Sequence, residues 1–79
     1  MTKNFKIDFE GAEFEFISMN RVRLQLYQVY VNDGAARKRF HMQINEEGKF
    51  YIADKPACPP AFLPLEETLS EAILKLGLV

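Results

Sequence analysis

The chain has 79 residues, 48% of them hydrophobic and 27% charged, and carries a formal net charge of −1. This describes one globular domain with a modest core, and no apolar run nears the roughly 18 residues that a membrane span needs. The near-neutral balance excludes a global electrostatic pull toward nucleic acid or membrane surfaces, and the single cysteine, Cys58, excludes an internal disulfide and fits a reducing, cytoplasmic setting.

The N-terminal stretch "MTKNFKIDFE" lacks the apolar run of a signal peptide. Residues 4–10 instead alternate, with Phe5, Ile7 and Phe9 on one face and Lys6, Asp8 and Glu10 on the other, the period of a half-buried strand. Gly11-Ala12 supplies a two-residue hairpin loop, and a second strand over 13–18 brings Phe14 opposite Phe9 and Phe16 opposite Ile7. A loop at 18–20 leads to a long third strand, 21–31. Asn32-Asp33-Gly34 leads to a fourth, 35–45, and Glu46-Glu47-Gly48 to a short fifth, 49–53. Each of these three loops ends on Asn or Gly, where a type I turn with a G1 bulge needs a left-handed residue. In this register Leu26 faces Phe40, Leu24 faces Met42 and Val22 faces Ile44, while Met42 also faces Ile52 and Ile44 faces Phe50.

Pro56, Pro59 and Pro60 prescribe an extended crossover over 54–63, and Cys58 becomes a small residue tucked against Phe62 or the sheet edge. A helix follows over 64–76. Pro64 suits its first position, Glu66 and Glu67 its first turn, Lys75 its last turn and Gly77 its stop. Leu65, Leu69, Ala72, Ile73 and Leu76 make one apolar stripe. The expected fold class is α+β: a five-stranded antiparallel meander with one C-terminal helix packed on its apolar face, in a single domain.

Catalysis finds little to build on. Cys58 and the only histidine, His41, fall on opposite sides of the sheet, and neither a glycine-rich phosphate loop nor a triad spacing occurs. The chain is therefore expected not to be an enzyme and to need no cofactor. No second Cys or His stands ready to complete a tetrahedral metal site. Asp8, Glu10, Glu13 and Glu15 form the one candidate cation cluster, with Glu10 opposite Glu13 and Asp8 opposite Glu15. Like charges so placed destabilise a hairpin unless a hard cation, or Lys6 and Arg23 at the margin, relieve them. A solvated face is the plainer interpretation.

The segment "YQVYVNDGAARKRFH" runs beyond the rows that the first two strands cover. Arg37 falls opposite Val29, Lys38 opposite Gln28 and Arg39 opposite Tyr27, an apolar and basic ribbon standing clear of the core. Tyr27, Val29, Tyr30 and Val31 are the expected contact surface for a second copy or another protein. The alternative is single-stranded nucleic acid, stacked and held at phosphate by Tyr27, Tyr30, Arg37, Arg39, His41 and Lys49. A third possibility is that the strands curl and bury these residues internally. The expected function is a non-enzymatic interaction module, self-associating or binding another protein through the 27–39 hairpin.

Overall fold

The computed structural model describes residues 2–19, 25–33 and 35–77. Its strands are β1 (Phe5–Phe9), β2 (Ala12–Ser18), β3 (Leu26–Asp33), β4 (Ala36–Ile44) and β5 (Phe50–Ile52), followed by helix α1 (Glu66–Leu76). The strands form one antiparallel sheet in the order β1-β2-β3-β4-β5. This is the α+β meander with a C-terminal helix that the alternation specifies.

The first hairpin turns at Glu10-Gly11, both with positive φ (52° and 78°), as a type I′ turn requires. Phe9 therefore faces Ala12, Ile7 faces Phe14 and Phe5 faces Phe16. This register lies two residues from the expected one, so every side chain keeps its face. Placing Glu10 in the left-handed region costs on the order of 1 kcal/mol. The slip brings Phe5 flat onto Phe16, with ring centroids 4.5 Å apart and planes 10° from parallel, a contact that offsets the cost.

The third strand departs further. The expected pairs of Val22, Arg23 and Leu24 lie outside the described residues, as does Gly34. Within them, Leu26 faces Gln43 rather than Phe40, Tyr27 faces Met42, Val29 faces Phe40 and Val31 faces Lys38. The shift is odd, so it turns β3 over. Tyr27, Val29 and Val31 enter the core at 0%, 0% and 1% exposure. Phe16 and Phe14 meet Val29 and Val31 from the other side. The hairpin is thus built into the body: the radius of gyration, 11.6 Å, matches the roughly 12 Å of a compact domain this long. Between β4 and β5 the expected register holds, Met42 facing Ile52 and Ile44 facing Phe50.

The crossover is extended only in part. Lys55–Ala57 and Pro60–Leu65 wind into 3₁₀ turns, with Pro56 second in the one, Pro60 first in the other and Pro64 inside the latter, so α1 begins at Glu66 rather than at 64. Cys58 sits between the turns in extended geometry (φ −85°, ψ 130°), as a residue before proline should. It is buried beside Leu65, Leu69 and Ile73, with Phe62 packed against the same cluster. Of the expected stripe, Leu65, Leu69 and Ile73 are buried, while Leu76 is left 39% exposed. Gly77 closes the helix by donating its N–H to the Ile73 carbonyl.

Helix α1 packs chiefly on β5. Its far end reaches the start of the chain, where the Gly77 carbonyl accepts the Lys3 N–H at 2.9 Å. The buried Tyr27 hydroxyl lies between the Gly77 and Lys3 carbonyls, at 3.1 and 3.2 Å. Burial pushes the Tyr27 pKa up against the opposing pull of its hydrogen bonds. On the side remote from β5, Phe5, Ile7 and Phe9 remain only half-buried.

Candidate interaction surfaces

The face of the sheet opposite α1 is uncovered among the described residues. Lys6, Glu15, Tyr30 and Arg39 cross it in one row, and Asp8, Glu13, Asn32 and Arg37 in the next. Ile17, Gln28 and His41 form a third row, and Tyr51 lies beyond, opposite Gln43. The polar groups here largely satisfy one another. Arg37 lies 2.6 Å from Glu15 and carries its guanidinium 4.6 Å over the Tyr30 ring. Tyr30 donates its hydroxyl to Gln28. The His41 backbone N–H donates to one Asp54 oxygen at 2.6 Å, and its ring Nδ1 lies 3.0 Å from the other. Burial raises the Asp54 pKa, but these His41 hydrogen bonds outweigh it and hold the carboxyl below its ordinary value. Arg39 has no acidic partner among the described residues.

The expected sites are redistributed accordingly. Of the contact set, Tyr27, Val29 and Val31 are buried in the core on the covered face, and Tyr30 alone reaches the open face. Of the nucleic-acid set, Tyr30, Arg37, Arg39 and His41 share the open face, Tyr27 does not, and Lys49 is exposed beside β5. Among the carboxylates, the shifted hairpin sets Asp8 opposite Glu13 and Glu15 opposite Lys6, and leaves Glu10 in the turn. Arg37 relieves Glu15, and no group of three or more His, Cys, Asp or Glu among the described residues is placed to hold a metal ion. Cys58 is buried. Desolvation first, then the Asp54 and Glu66 carboxylates, push its thiol up to about 11, which suppresses the thiolate a nucleophile needs.

The two sheet edges differ sharply. On β5 the outward backbone groups are met by side chains. The Phe50 N–H donates to Ser70 Oγ and the Ile52 N–H to Glu66 Oε2, both at 2.8 Å. Lys55 Nζ approaches the Ile52 carbonyl at 3.4 Å and holds Glu66 at 2.8 Å. That contact with Lys55, more than any other influence, draws the Glu66 pKa down. Strand β1 is the opposite case. The Met19 N–H bonds to the Leu26 carbonyl, which turns the odd-numbered backbone groups of β2 toward β3 and the even ones toward β1. Phe5, Ile7 and Phe9 therefore pair with β2. The N–H and C=O groups of Lys6 and Asp8 point away from the sheet, and among the described residues nothing meets them. No periodicity marks an edge; only the strand order reveals it.

Comparison with known proteins yields no match: no family model, no curated protein and no solved structure aligns with the chain. Among the described residues no helix is long and apolar enough to cross a membrane.

Proposed function

We propose that this chain is a non-enzymatic interaction module that accepts an added β-strand along β1. The observation that carries the proposal is the asymmetry of the sheet. One edge has both outward N–H groups occupied by Ser70 and Glu66, and the other presents Lys6 and Asp8, unmet among the described residues, beside half-exposed Phe5, Ile7 and Phe9. An unpaired edge flanked by apolar side chains templates another strand, and proteins that do not use such an edge blunt it. The buried Cys58 thiol, pushed up to about 11 and so without the thiolate a nucleophile needs, supports the non-enzymatic part.

Single-stranded nucleic acid on the open face is the weaker alternative. It has Arg39 and Tyr51 in its favour. A base stacking on Tyr30 would have to displace Arg37 from the ring and from Glu15, and the backbone phosphates would meet Asp8 and Glu13 on the same surface.

An amide NMR titration with a synthetic alternating peptide, Val-Lys-Val-Glu-Val-Lys-Val, at the lowest protein concentration that gives a spectrum, tests the proposal. The amides of Lys6 and Asp8 are expected to shift and to exchange more slowly with solvent. Asp8→Pro removes one outward donor without touching a β1–β2 hydrogen bond, and is expected to lose the effect. Shifts confined to Tyr30, Arg39 and Tyr51, or none at all from a sample that sediments as a single chain at that concentration, would defeat the assignment to β1.

A further inference from the structure

We infer that the strand received by β1 is β1 of a second copy, paired antiparallel about a two-fold axis at Ile7; this rests on β1 being a strand-accepting edge. The sequence of the edge, Phe-Lys-Ile-Asp-Phe, is self-complementary. Only the even-numbered residues turn backbone groups outward, so a symmetric pair must set even positions opposite one another. Centring the axis on Ile7 places Lys6 opposite Asp8 of the second copy, and Asp8 opposite Lys6 of the second copy. Centring it on Lys6 opposes two lysines, and centring it on Asp8 opposes two aspartates. Only the Ile7 register matches charge with charge. Like charges directly opposed destabilise a strand pair, and opposite ones stabilise it.

The same register completes the apolar layer. Phe5 comes opposite Phe9 of the second copy, and the two Ile7 side chains meet on the axis. All lie on the face that α1 leaves half-covered. Because the axis runs through the sheet, both helices fall on one side and the two sheets become one. The outer ends of that sheet are the two β5 strands, each sealed by Ser70 and Glu66. Assembly therefore closes at two copies instead of propagating as an open edge would.

Charge reversal at the two edge positions tests the register, with mass read by sedimentation equilibrium and native mass spectrometry. Wild type is expected to run at twice the 9.1 kDa chain mass. In Lys6→Asp every facing pair is acidic and in Asp8→Lys every facing pair is basic, so each homodimer weakens by about tenfold or more. Mixing the two variants restores opposite charges throughout, and a one-to-one heterodimer should exceed either homodimer. The double variant Lys6→Asp, Asp8→Lys should regain the homodimer. Circular dichroism melts confirm that each variant is folded. Single variants that dimerise like wild type, or a mixture without heterodimer, overturn the register. A folded wild type that stays a single chain, while the alternating peptide still shifts Lys6 and Asp8, rejects the second copy and keeps the edge. Loss of both results rejects both.

Discussion

Strands β1 and β5 close the same sheet at opposite ends, and the chain treats them differently. β5 is short, covered by α1, and its outward N–H groups end on Ser70 and Glu66. β1 carries longer apolar alternation, is only half-covered on its apolar face, and offers Lys6 and Asp8 to whatever lies alongside. The helix cannot serve both ends of a sheet this wide, so one edge is finished internally and the other is left to a partner. A buried backbone donor costs too much to leave unmet, whereas a solvated one waits at little cost.

Breaking the sealed edge should have the largest effect on stability. Ser70 is 4% exposed, and its hydroxyl is the partner of the Phe50 N–H. Ser70→Ala strands that donor beneath the helix and is expected to cost about 1–3 kcal/mol in chemical denaturation. The variant should also expose the Phe50 amide to faster exchange and so make β5 resemble β1. Unchanged stability would mean that the β5 edge is held by α1 packing alone.

The next effect sharpens how β1 is held. The Tyr27 hydroxyl and the Lys3 N–H both reach the Gly77 carbonyl, tying the helix end to the residues ahead of β1. Tyr27→Phe keeps the ring contacts with Phe5, Phe16 and Phe50 and removes only the hydroxyl. A loss of about 1 kcal/mol is expected, since Gly77 retains Lys3 as donor. Exchange should quicken at the Lys3 amide and leave the β4–β5 amides unaltered. A uniform change across the sheet would show that the hydroxyl supports the whole core and not the β1 end.

The edges were less legible in the sequence than the faces. Alternation in Phe5, Ile7, Phe9, Phe14 and Phe16, and in Phe40, Met42, Ile44, Phe50 and Ile52, assigns faces that the structure keeps, because the β1–β2 register slips by two residues, which preserves them, and the β4–β5 register does not slip. The third strand was illegible for a definite reason. Its apolar residues occur in two phases, Val22, Leu24 and Leu26 in one and Tyr27, Val29 and Val31 in the other. Following the first phase turns the second outward and invents an exposed ribbon. The second phase carries β-branched and aromatic residues, which match Phe14, Phe16 and Phe40 across the ladder. The contact set Tyr27, Val29 and Val31 was an artefact of that choice. Arg37, Arg39 and His41 lie on the open face in either register, whereas Tyr30 joins them only in the observed one. The seal on β5 could not be read at all, because Ser70 and Glu66 look like ordinary residues of an amphipathic helix until the helix is placed.

The smallest expected effect asks whether that seal depends on charge. The folded-state pKa of Glu66 is lowered, first by its hydrogen bond with Lys55 and against the opposing effect of burial. Its contribution is therefore fully present above the unfolded value, about 4.3, and is lost as pH falls through the lower folded value. Asp54, also lowered, loses its hold on His41 in the same direction. The Lys55–Glu66 pair is half open to solvent, with side-chain exposures of 58% and 35%, so screening limits it to less than about 1 kcal/mol. The acceptor role toward the Ile52 N–H needs only an oxygen, which an amide retains. Glu66→Gln should accordingly cost less than about 1 kcal/mol at pH 7. Its stability curve should converge on that of wild type only as pH falls through the lowered folded-state pKa of Glu66, where the carboxyl becomes neutral. Thermal melts across the acid range read this directly. A gap that persisted undiminished at low pH would show that the amide cannot take the Ile52 N–H, and that the carboxylate seals β5 by its shape rather than by its charge.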